Sequence, residues 1–226
     1  MKARIISAAV AALAAFAAVP AAAQVNGIAV ADPAVAVAGS QALQTAYTQI
    51  GTTFQAQRTQ LEGLQQQRSG LVRQFDTDGD GQLSDTEQTA AQANTAVVQQ
   101  VNGLDQQINT IQQPITVARV YVIEQIAMQL NTAVQQVIQA NNIQLLLNPA
   151  SALFIADAVD ATDDIITTLN QLVPTASTAA PAGWQPQQGS VQLYQQVSEV
   201  LLQVAMAQQA QQQQAQPPAT TPVQGR

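Results

Sequence analysis

LQTAYTQIGTTFQAQRTQLEGLQQQRSGLVRQF, residues 43–75, places Leu43, Tyr47, Ile50, Phe54, Gln57, Leu61, Leu64, Arg68, Leu71 and Phe75 at steps that alternate four and three without a slip. Such spacing is a heptad seam, here broken by polar residues at Gln57 and Arg68. It predicts a helix over 41–75, about 52 Å long at ~1.5 Å per residue. A compact domain of this size cannot bury that length, so the helix must project or lie along a partner. The same spacing returns further on in Val97, Val101, Leu104, Ile108, Ile111 and Ile115. An antiparallel helical hairpin over 41–140 follows, because each seam buries its apolar side against the other. Its outer faces carry Gln, Thr and Asn, polar but little charged. Pro114 should bend or interrupt the returning helix. Beyond it, Val120, Val122, Ile123, Ile126, Leu130, Val134, Val137 and Ile138 form a broader apolar face, which places that part at a buried base.

Between the two seams lies DTDGDGQLSDTE, residues 76–87, with five acids in twelve positions. It meets the calcium-loop pattern with Asp76, Asp78 and Asp80 at positions 1, 3 and 5, Gly81 at 6 and Glu87 at 12. Three aspartates offer hard oxygens to a cation that needs six to eight, Gly81 takes the sharp turn, and Glu87 reaches back as a bidentate ligand. Gln82 would add its backbone carbonyl at position 7 and Ser84 would act at position 9 through water, while Leu83 packs behind the loop. An acidic solvated turn is the plain alternative, but solubility explains neither the glycine nor the closing glutamate. The expectation is calcium, held in a single loop that sets the angle between the helices it joins. Its dissociation constant should fall on the order of 10⁻⁴ to 10⁻³ M, as in extracellular modules.

The N-terminus restricts where this happens. Lys2 and Arg4 precede an apolar run from Ile5 to Val19, then Pro20 and Ala21-Ala22-Ala23, the pattern of a secretory signal peptide over 1–23. Fifteen apolar residues fall short of the ~20 needed to span a bilayer, so no transmembrane segment is expected in the mature chain. Without cysteine, disulfides cannot stabilise it. Cleavage near Ala23 and Gln24 leaves five basic residues against fourteen acids, a formal charge of −9. No basic stripe exists for nucleic acid or anionic lipid. The mature chain has no His, Cys or Lys, which removes the usual nucleophiles and zinc sites; carboxylate chemistry alone remains.

Ile28-Ala29-Val30-Ala31 reads as a short strand stopped by Asp32-Pro33. After Asn141-Asn142, residues 143–147 and 152–155 read as two strands joined by a turn at Asn148-Pro149. Thr162 reads as the N-cap of a short helix, with Asp163 and Asp164 in its first turn. The cluster of Asp157, Asp160, Asp163 and Asp164 suits capping better than a second metal or catalytic site, since it lacks a ligand spacing. Residues 174–189 have linker composition with Trp184 as an apolar anchor, 190–213 form an amphipathic helix, and 214–226 a disordered tail. The fold class expected is mainly α with a small β body (α+β).

This order, with IAVADPAVAVAGSQALQTAY at 28–47 and PITVARVYVIEQIAMQLNTAVQQVIQANNIQLLLNPASALFIADAVDATDDIITTLN at 114–170, resembles the Skp (OmpH-like) periplasmic chaperones. The resemblance assigns 24–173 to one such domain. It implies a homotrimer whose strands build a small body from which the hairpins hang as tentacles around unfolded outer-membrane proteins. It also implies a periplasmic holdase with no enzymatic activity. Family tentacles are basic, whereas these arms are nearly uncharged and the chain is acidic. The rival expectation is a calcium-binding structural or envelope coiled coil without clients, and a carboxylate hydrolase stands third. Three short strands make too small a sheet to be stable alone, which independently favours assembly.

Overall fold

In a computed structural model, which describes residues 27–214, Asp32 and Pro33 both end a strand and begin a helix. The expected signal peptide and, apart from Gln214, the expected disordered tail lie outside the described residues. Strand β1 covers Ile28–Val30 and helix α1 Pro33–Gly39, with the Asp32 carboxylate accepting from the N–H groups of Ala34 and Val35. Proline at the first helical position and aspartate before it are a helix start, which overrides the strand-like alternation of Ala and Val. Ser40 then caps α2, Gln41–Thr53, its hydroxyl accepting from Leu43 N–H while donating to Val37 O.

The long outgoing helix is divided. Phe54, at φ −103° and ψ 23°, separates α2 from α3, Gln55–Arg73. The seam nevertheless keeps its register, because Phe54 N–H still reaches Ile50 O and Arg58 N–H reaches Phe54 O. Past the acidic loop come α4, Asp85–Ala93, and α5, Thr95–Ala140. Asn94 separates them and caps α5 through Val97 N–H. Pro114 does not interrupt α5, which runs for 46 residues through it. Phe54 and Pro114 line one groove and so stand at the same level of the hairpin. They mark where the arm leaves the body.

On the arm, α3 packs along α5, and the polar seam residue Arg68 finds Asp105 of the returning helix at 2.6 Å. Leu64 is the one buried residue of α3. The body is denser. Ala36 and Val37 of α1, Leu43 and Ile50 of α2, Val122, Ile123 and Ile126 of α5, and Ile165 and Leu169 of α6 are all closed to solvent. Helix α6, Thr162–Leu172, and helix α7, Gln188–Gln214, both pack on α1 and α5. Val197 of α7 is fully buried in the same core.

Strand β2, Leu145–Leu147, pairs in parallel with β1, Ile28 opposite Leu145 and Val30 opposite Leu147. The strand expected at 152–155 does not form. Asn148 turns the chain into a short 3-10 segment, Pro149–Ser151, and β1 makes its further bridge from Val30 to Asp160. Leu153 and Phe154 are left exposed. Thr162 is not the N-cap of α6 either; Ala161 is. The Thr162 hydroxyl instead accepts from Asp32 N–H, tying α6 to the start of α1, and Asp160 accepts from Thr162 N–H. Asp163 and Asp164 occupy the first turn of α6 as expected, and Asn141 Nδ2 donates to Asp164.

Candidate functional site

The acidic loop closes the far end of the arm, where residues with little else to pack against are organised by their own hydrogen bonds. Asp76 accepts from Gly79 N–H at 2.7 Å and from Gly81 N–H at 3.0 Å, one to each carboxylate oxygen. Both glycines have positive φ, +75° and +84°, a conformation that other residues resist. The turn thereby brings carboxylate oxygens of Asp76, Asp78 and Asp80 within 4.8 Å of one another. Three hard, anionic oxygens at that spacing suit a calcium-sized cation. Gln82 is exposed and gives its N–H to Asp80.

Glu87 sits differently. It is 7 % exposed, and its carboxylate accepts from the N–H and hydroxyl of Thr77 on one oxygen and from the N–H and hydroxyl of Ser84 on the other. Ser84 is at the same time the N-cap of α4, its hydroxyl accepting from Glu87 N–H in a capping box. The Thr77 hydroxyl first, then the N–H groups of Ser84 and Thr77 and the Ser84 hydroxyl, hold the Glu87 carboxyl down to about 2. The residue therefore closes the loop end to end, while Asp76, Asp78 and Asp80 form the open carboxylate group beside it. Thr77, at position 2, was not among the expected site residues.

Behind the loop the arm presents two grooves on its seam. One, of about 680 Å³, is lined by Leu71 and Leu104, by Gly70 and Gly103, and by four glutamines. The other, of about 260 Å³, lies at the tip between α3, the loop, α4 and α5. These surfaces combine apolar side chains with glutamine and asparagine amides, and Arg68 also lines the second.

At the base, Glu124 interrupts an apolar run of α5. It lies two residues from both Val122 and Ile126, hence across the helix from them. Although buried, its carboxylate accepts from Trp184 Nε1 at 2.9 Å and Gln187 N–H at 3.1 Å. The Trp184 ring meets Tyr121 edge-on at 5.1 Å. Next to it, Gln125 receives Ser177 N–H and donates to Ser177 O. Residues 177–187 are thus held on α5 despite their linker composition. The signal available in the sequence was a single glutamate among Val122, Ile123 and Ile126.

No characterised protein of similar sequence was found. Among solved structures, the chain resembles one described as a "putative outer membrane chaperone (OmpH-like)" from Caulobacter crescentus CB15. Identity is 20 %, with 67 % of this chain and 88 % of that one covered and a TM-score of 0.42. The family profile "Outer membrane protein (OmpH-like)" matches residues 27–169, from β1 to the end of the α6 core. That match spans more than half of the chain and takes in body and arm together, and the protein belongs to the OmpH-like (Skp) family, whose members are chaperones and not enzymes.

Proposed function

We infer that the protein is a periplasmic holdase that binds unfolded outer-membrane proteins. The observation that carries this reading is the family match over 27–169 on a body with a projecting arm whose seam is only half-buried. A seam with unfilled apolar grooves and a glutamine rim offers many weak contacts to an extended chain. No helix among the described residues is long and apolar enough to cross a membrane. Dilution of a urea-unfolded outer-membrane barrel tests the reading: excess protein is expected to suppress its aggregation. Unchanged light scattering at excess, with and without calcium, would favour the structural coiled coil instead.

The working unit is a homotrimer. A parallel pair of three-residue strands is too small to stand alone, and Ile28, Leu145, Leu153 and Phe154 leave apolar surface beside it. Light scattering at micromolar protomer is expected to give three chain masses. A monomer mass would remove this element of the reading.

Calcium occupies the loop at the arm tip, with Asp76, Asp78, Asp80, Gln82, Ser84 and Glu87 as its ligands. Support comes from the twelve-residue pattern together with the convergent carboxylates. Ligation by Glu87 requires its carboxylate to exchange the Thr77 and Ser84 donors for the ion, so binding should reset the angle between α3 and α4. Calorimetry is expected to show a dissociation constant on the order of 10⁻⁴ to 10⁻³ M, with magnesium a poor substitute. Asp76→Ala and Glu87→Gln should abolish the heat. Circular dichroism should show helicity gained on binding in the wild type alone. Equal heats in all three proteins would leave the loop a solvated acidic turn.

A further inference from the structure

The tip groove has an apolar lining that the arm leaves unfinished. Val72 from the end of α3, Phe75 from the turn after it, Leu83 from the loop and Val97, Val98 and Val101 from α5 surround it, and all six are only half-buried. Beyond Leu64 no residue of α3 is buried. A volume of about 260 Å³ is below that of pockets for drug-sized ligands, and fits one or two large apolar side chains. Gln88, Gln92 and Asn102 at the rim can bond to the backbone that carries them.

The surroundings of this groove are negative. Five acids occupy residues 76–87, and the groove is joined to them through Leu83 within the loop and through Phe75 and Gln88 at its two ends. One cation, Arg68, lines the groove itself, but its guanidinium is paired with Asp105 at 2.6 Å, and Arg73 stands at the end of α3. Two tips of this chain would repel one another, as would a tip and an acidic segment. A segment with apolar anchors between basic residues meets both features at once.

We propose that the arm tip is a docking site for an apolar side chain of an unfolded polypeptide segment flanked by Lys or Arg. The nature of the occupant rests on the holdase reading; the pocket and its charge preference do not. The site would give these arms a client preference opposite in sign to that of a basic arm.

The test uses the full mature protein and short fluorescent peptides with a central Leu-Phe pair, flanked by Lys, Ser or Glu, followed by anisotropy. In calcium-free buffer at low salt, the Lys-flanked peptide is expected to bind about tenfold or more tighter than the Glu-flanked one, with the Ser-flanked peptide between. Val98→Gln should weaken all three several-fold with helicity unchanged. Asp80→Asn with Asp85→Asn, which leaves the pocket wall intact, should shrink the Lys preference. Equal binding of the Lys- and Glu-flanked peptides to calcium-free protein would overturn the proposal, as would a preference untouched by the two Asp→Asn changes even if Val98→Gln lost helicity. Failure to suppress barrel aggregation with the peptide ranking preserved would count against the holdase reading alone.

Discussion

Ile126→Ala is expected to lower the stability of the body by about 2–5 kcal/mol, the range for removing the outer atoms of a fully enclosed aliphatic side chain. Ile126 is closed to solvent on the stripe of α5 that also carries Val122, Ala133 and Val137. Helices α1, α2, α6 and α7 all contact α5, and Ile126 belongs to the core cluster to which these helices contribute. Such a site collapses poorly, because closing the cavity would require several helices to shift together. The upper half of the range is therefore the better expectation. Urea unfolding followed by Trp184 fluorescence reads the change, with protomer concentration held fixed because assembly adds to apparent stability. Val101→Ala on the half-buried arm seam is the comparison, expected at below about 1 kcal/mol. Similar losses at the two sites would show that the body is packed no better than the arm.

That contrast between body and arm was legible in the heptads. A seam flanked by glutamine predicts a helical pair that is half-wet along its length, and Leu61, Leu71, Val101, Leu104 and Ile108 are each only half-buried. Periodicity could not reveal the break at Phe54. One residue moved to ψ 23° leaves the i, i+4 bonds on either side and the apolar spacing intact. The misread strand at 152–155 has the opposite cause. A run such as Leu153-Phe154-Ile155 shows apolarity but not what covers it, and in this chain β1 pairs with β2 and then bridges to Asp160. Apolarity in so short a run does not separate a paired strand from the exposed loop that Leu153 and Phe154 occupy.

At the tip, the twelve-residue pattern located the group formed by Asp76, Asp78 and Asp80, since every member lies within a few residues of the others. The same local pattern implies how Glu87 would meet an ion. It is silent on the side chain's engagement with Thr77 and Ser84. Glu124 was harder to read. Its donors lie 60 and 63 residues away in sequence, in a stretch whose Pro, Ala and Ser content suggests a free linker. Composition describes how a segment behaves alone, and here α5 supplies the acceptors that hold it.

Glu124→Ala is therefore expected to release that stretch. The substitution leaves the indole N–H of Trp184 and the Gln187 N–H without their acceptor, at about 1–3 kcal/mol for each donor that stays buried. Opening of residues 174–190 is the cheaper outcome, since it returns both donors to water. Trp184 is the only tryptophan of the chain, so a red-shifted emission and faster proteolysis between 174 and 190 report the event directly. The wild type should show the same opening in acid. Burial pushes the Glu124 carboxyl up, but the Gln187 N–H, the Trp184 indole and the Ser190 hydroxyl together pull it lower, and its folded pKa lies below the ordinary value. Its contribution is then complete above the unfolded carboxylate pKa of about 4.3 and is lost as pH falls through the lower folded value. Glu87 titrates in the same direction, so loss of helicity in acid does not identify Glu124, whereas Trp184 emission does. In Glu124→Ala the emission should already be shifted at neutral pH and change little on acidification. Wild-type emission and wild-type cleavage in Glu124→Ala would mean that the packing of α7 around Val197 holds the segment without the carboxylate.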